Sequence, residues 1–78
     1  MSQEQFAALI PFISDDLTSA ISRNEGIPEE DAVMKLYGSR LYALLEKEET
    51  KLWQYSTEML YSLYKQEQRS GSLEFPDT

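Results

Sequence analysis

Apolar residues return at three- and four-residue steps through most of the chain, and Phe6, Leu9, Ile10, Ile13, Leu17, Ala20 and Ile21 form the clearest run. That spacing puts them on one stripe of a helix, predicted over about 3–23. Ser2 and Gln5 have the spacing of a capping box at its start. Asn24–Gly26 should end it, since glycine takes the left-handed turn at least cost. Pro11 lies inside the stripe, where it withdraws a backbone donor and crowds the carbonyl of Ala7. The stripe keeps its phase across Pro11, which favours one kinked helix over two separate ones.

A second helix is predicted over 28–37. Pro28 suits a first helical position, and Glu29, Glu30 and Asp31 complement the positive end of the dipole. Ala32, Val33, Leu36 and Tyr37 make its inward face. Gly38-Ser39 then interrupts the pattern, and Ser39 can cap a third helix over 39–48, with Leu41, Leu44 and Leu45 inward. A bend within one longer helix is the alternative at Gly38, since one glycine costs only about 1 kcal/mol. Glu49–Tyr55 reads as a connection that returns Leu52 and Trp53 toward the core. Ser56 or Thr57 caps a last helix over 56–69, with Met59, Leu60, Leu63 and Tyr64 in register, and Arg69 and Gly71 are stop signals. No segment alternates with a period of two. The reading is all-α: one bundle of three to four helices over 1–71, followed by an extended tail, 72–78, that Leu73 and Phe75 could dock.

Length and charge narrow the functional classes. A chain of 78 residues removes only about 60% of its unfolded surface from water on folding. Small domains therefore often recruit disulfides, a metal or a partner subunit. With no Cys and no His, disulfides and thiolate or imidazole metal sites are excluded, and a homo-oligomer or a complex is the natural reinforcement. Histidine is also the usual proton carrier near neutral pH, and the three glycines are isolated, so no phosphate loop is formed. The acidic groups Asp15-Asp16, Glu29-Glu30-Asp31 and Glu46–Glu49 lack the ligand pattern of a calcium loop. No enzymatic activity, cofactor or metal is expected. The beginning of the chain lacks the features of a secretory signal and Phe6–Ile13 is too short to span a bilayer, so a cytoplasmic location is expected. The formal charge of −7 repels phosphate backbones and anionic membranes and speeds encounter with cationic surfaces.

Five tyrosines and the single tryptophan fall between Leu36 and Tyr64. Such residues have apolar bodies and polar tips, so each suits either a core or an interface. Tyr64 shares a face with Leu60 and belongs to the core, and Tyr37, next to Leu36, is expected to be half-buried. Trp53 is either a plug for the end of the bundle or an interface anchor. Tyr42, Tyr55 and Tyr61 remain available to a partner, with Glu46, Glu48 and Glu49 steering its approach. The leading reading is thus a small acidic protein-binding module that occludes a basic partner. The alternative is a dimeric DNA-binding regulator, because the helices around Gly38 have the spacing of a helix-turn-helix unit. Glu46, Glu48 and Glu49 on the presumptive reading helix argue against nucleic acid.

Gly26-Ile27-Pro28-Glu29-Glu30-Asp31-Ala32, Tyr37-Gly38-Ser39-Arg40-Leu41-Tyr42-Ala43-Leu44-Leu45 and Glu49-Thr50-Lys51-Leu52-Trp53 together resemble a family of short bacterial proteins of unknown function. Ser56, Leu60, Tyr61, Tyr64 and Glu67 suit the last part of its pattern, and the resemblance spans roughly Phe12–Glu67. Gly38 departs from it, standing where the family has a bulkier residue. Some relatives are encoded beside toxin-like genes, so the resemblance implies an antitoxin or a small regulatory partner. It carries over no functional residue.

Overall fold

The computed structural model of the chain describes residues 2–71 and residue 73. They form four α-helices, α1 (Gln3–Glu25), α2 (Glu29–Tyr37), α3 (Arg40–Leu45) and α4 (Thr57–Ser70), with two single 3-10 turns, Glu48–Thr50 and Leu52–Gln54, between α3 and α4. There is no strand among the described residues. Apart from Leu73, which packs partly buried against the core, the expected tail 72–78 lies outside the described residues.

The longest apolar stripe sets the architecture. Leu17 and Ile21 of α1 are fully buried against Ala32 and Leu36 of α2, Leu41 and Leu45 of α3, Leu52 of the second turn, and Leu60, Leu63 and Tyr64 of α4. Burying each leucine stabilises the fold by about 1.5–3 kcal/mol. α1 packs on α2 and α4, and the short α3 sits against α4 and the end of α2.

The caps follow from the local sequence. At Ser2 the hydroxyl accepts from the Gln5 amide, and the Gln5 side chain accepts from the Ser2 amide, each at 3.1 Å. Gly26 ends α1 with φ 66°, a left-handed conformation costly for any residue bearing a Cβ. α1 runs unbroken through Pro11, so the two-helix alternative is not adopted. Ser56 rather than Thr57 caps α4, accepting from the Met59 amide at 3.1 Å.

Four expectations need correction. Pro28 is the cap of α2 and not its first helical residue; its carbonyl accepts from the Asp31 and Ala32 amides. α3 ends at Leu45 and does not reach 48. Three glutamates in the next four residues would face the negative end of its dipole, and side chains take the carbonyls that a longer helix would have used. The Thr50 hydroxyl lies 2.8 Å from the carbonyls of both Leu44 and Lys47, and the Trp53 indole N–H donates to the Glu48 carbonyl at 3.1 Å. The chain then turns through Lys51 at φ 58°. Met59, expected in register with the core, is 41% exposed, because the leucines and Tyr64 fill the inward face of α4. The fourth correction concerns Tyr37, described with the site.

The joint between α2 and α3 holds the most concentrated polar network. Ser39, 6% exposed, donates to the Leu36 carbonyl at 2.6 Å and accepts from the Tyr42 amide at 3.1 Å. One hydroxyl thus closes α2 and opens α3. From α4, the Glu67 carboxylate reaches the same place and accepts from the amides of Arg40 and Leu41 at 2.8 and 3.0 Å. A carboxylate there also meets the positive end of the α3 dipole. Replacing Glu67→Ala removes both bonds and should cost about 1–2 kcal/mol. Urea denaturation of the variant measures this, and Glu67→Gln, which keeps one acceptor oxygen, should fall between the two.

Candidate functional site

Helical phase alone places Val33, Met34 and Tyr37 on one side of α2, at i, i+1 and i+4. Ala32 and Leu36 occupy the buried side, so Met34 is 75% exposed and Tyr37 55% exposed. Tyr37 therefore does not share in the core as its neighbour Leu36 suggested. It stands outside and stacks on Tyr42 of α3, with ring centroids 4.5 Å apart and planes 23° from parallel. Tyr42 is half-buried and leans on the core. Burial raises its phenol above the ordinary tyrosine value. The Ser14 hydroxyl beside it works in the opposite direction without closing a full hydrogen bond, and the Tyr37 hydroxyl and the Glu46 carboxylate add to the rise. Tyr37 and Tyr42 thus form an aromatic ledge, with Tyr42 resting beside Ser14 of α1 and exposed Met34 one turn before Tyr37 on α2.

The ledge leads into a groove. Glu46 follows Tyr42 by one helical turn, and it also lines an open groove of about 630 Å³ with Lys47, Glu48 and Glu49. The opposite side is the first part of α1, through Gln3, Phe6, Ala7 and Ile10. These α1 positions are spaced i, i+3, i+4 and i+7, a continuous helical ridge. The groove therefore has an apolar floor and a wall of three carboxylates and one ammonium. The short α3 makes this possible, because residues 46–49 fold across the start of α1 instead of continuing a helix.

The remaining expected site residues are distributed differently. Trp53 is half-buried and its indole is tied to the backbone of Glu48, so it braces the acidic wall from behind. Tyr55 is half-buried and packs on the core. Tyr61 lies at the boundary on α4, stacked on Tyr64 at 6.1 Å, beside a polar depression with Asp16, Arg23 and Glu58. Glu46, Glu48, Glu49, Trp53 and Tyr42 are thus brought to one end of the bundle, while Tyr61 lines a separate depression. Sequence reasoning missed Met34, Phe6, Ala7 and Ile10. The signal for Met34 was present, since it lies off the Ala32–Leu36 stripe. Phe12 is 70% exposed but stands on the outer side of α1, and a single apolar residue on a surface is ordinary.

Glu25 joins three helices: its carboxylate lies 3.2 Å from the Lys35 ammonium and 4.0 Å from that of Lys65. Such partly exposed pairs contribute up to about 1 kcal/mol. Among the described residues no three acidic side chains converge to hold a metal ion, and no helix is long and apolar enough to cross a membrane. Compared with protein-family models, curated proteins and solved structures, the chain matches none.

Tyr64 yields a pH prediction. Its ring is fully buried and its hydroxyl has no hydrogen-bond partner among the described residues. Burial, together with the Glu25 charge, pushes the phenol from 10.0 up to about 12. The unfolded chain loses this proton first, so the stability it confers is whole below pH 10 and is lost as the pH rises toward about 12. The loss should amount to about 2–3 kcal/mol. Urea unfolding at stepped alkaline pH measures it. Tyr64→Phe should remove most of that slope without lowering stability at neutral pH, because it deletes an unsatisfied buried hydroxyl.

Proposed function

We propose that this chain is a non-enzymatic protein-binding module that captures and occludes a basic protein partner. The observation that carries this reading is the stacked pair Tyr37–Tyr42 beside exposed Met34, with Glu46, next to Tyr42, lining the groove walled by residues 46–49. Exposed Met and stacked Tyr give a partner a rigid apolar seat at low entropic cost. The adjoining carboxylates add a directional field that speeds the encounter of a cationic surface. Such a module acts by covering its partner, in keeping with the regulatory or antitoxin-like role that the bacterial resemblance implies.

The helix-turn-helix alternative draws less support. The helix that would enter a groove of DNA has six residues, its first amides are occupied by the Glu67 carboxylate, and Glu46 follows directly at its end. A major-groove reader needs a positive helix with an accessible N-terminal turn.

The test is capture from a lysate of the native host, with a photo-crosslinking residue at position 37. A discrete, basic protein should be recovered reproducibly. Met34→Asp with Tyr37→Ala should reduce its recovery at least about tenfold. Tyr37→Ala gives up the stack on Tyr42, worth about 0.5–1.5 kcal/mol, so urea denaturation should first show that the double variant is folded. Equal recovery by the double variant, or no discrete partner, would reject the reading.

A further inference from the structure

The chemistry of the groove specifies what lies in it, and this step rests on the protein-binding reading. Its floor is helical: Ala7 is exposed and Ile10 half-buried along the first turns of α1, and Phe6, 9% exposed, closes the floor from beneath. A second helix packs on such a surface by setting its own ridge into the groove between turns. Its wall is Glu46, Glu48 and Glu49, with Lys47 the single opposing charge.

Ala7 lines the groove and is exposed. The groove therefore pairs an apolar floor with carboxylates. Among the lining side chains, the donors are the Gln3 amide and the Lys47 ammonium, against three carboxylates. A ligand that matches this set is apolar on one side and rich in charged donors along the flank.

We infer that the groove between α1 and residues 46–49 binds an amphipathic cationic helix of the partner. The helix lies against Ala7 and Ile10, above the buried Phe6, and sets its lysines or arginines against Glu46, Glu48 and Glu49. An acidic or neutral amphipathic helix shares the apolar contact but meets the carboxylate wall without compensation. Discrimination therefore comes from charge and seating comes from the floor.

Three synthetic helices of about four turns, with identical leucine faces and with lysine, glutamine or glutamate flanks, test this against the intact chain. The readouts are calorimetric affinity and amide chemical shifts. The lysine peptide should bind, shift resonances of residues 3–10 and 46–49, and weaken as salt is added. Its affinity should fall about tenfold in the Glu46→Gln, Glu48→Gln, Glu49→Gln variant. It should be lost in Ala7→Lys, an exposed site where substitution leaves the fold intact. Absence of binding, equal affinity for the glutamate peptide, or shifts confined to other surfaces would overturn the inference. Self-association of the free chain through the same residues would also overturn it, assigning the groove to a second copy. The crosslinking experiment at position 37 keeps the two readings apart. A partner lost on Tyr37→Ala, together with no lysine-peptide binding, retains the protein-binding module and rejects the cationic helix.

Discussion

The carboxylate of Glu67, seated on the amides of Arg40 and Leu41, is the interaction on which the rest of the arrangement turns. A helix of six residues is far too short to be stable alone, because nucleation costs more than so few bonds return. α3 exists because its leucines are buried and because its first amides are satisfied from α4 while Ser39 ties it to α2. The position of α3 fixes Tyr42, and Tyr42 in turn fixes the outward stance of Tyr37. It also fixes where Glu46 stands against α1. The ledge and the groove are therefore consequences of one charge-assisted cap formed between residues 26 and 27 positions apart.

The division of labour among polar residues follows from this. Ser39, Thr50, Trp53, Ser56 and Glu67 each satisfy a backbone group at the end of a helix or turn. They keep the frame. The residues that face a partner are of another kind, methionine, tyrosine and glutamate with open sides. A pattern dominated by caps specifies how the bundle closes and says little about what it meets.

The same distinction explains how much was legible beforehand. The α1 stripe, its capping box and its glycine stop all rest on local rules, and they fold as the spacing predicts. Tyr64 is similar, because its phase with Leu60 leaves no alternative. Tyr37 misled because it lies one residue from a core leucine, although Ala32 and Leu36 take the buried side of α2 and leave Tyr37 55% exposed. The ring it stacks on comes from the next helix. The early end of α3 was hidden for a like reason. It depends on Thr50 and Trp53 reaching back for carbonyls, contacts that no periodicity records. The groove was invisible because its two sides come from residues some forty positions apart, joined only when the turn after α3 folds across the start of α1.

The bond between Trp53 and the Glu48 carbonyl has one more implication. The chain's sole indole hangs from the backbone of the acidic wall, partly shielded from water. Any displacement of that wall must alter the polarity around a single chromophore. The molecule thus carries its own optical gauge at the end of the bundle where residues 46–49 cross α1, readable without any label.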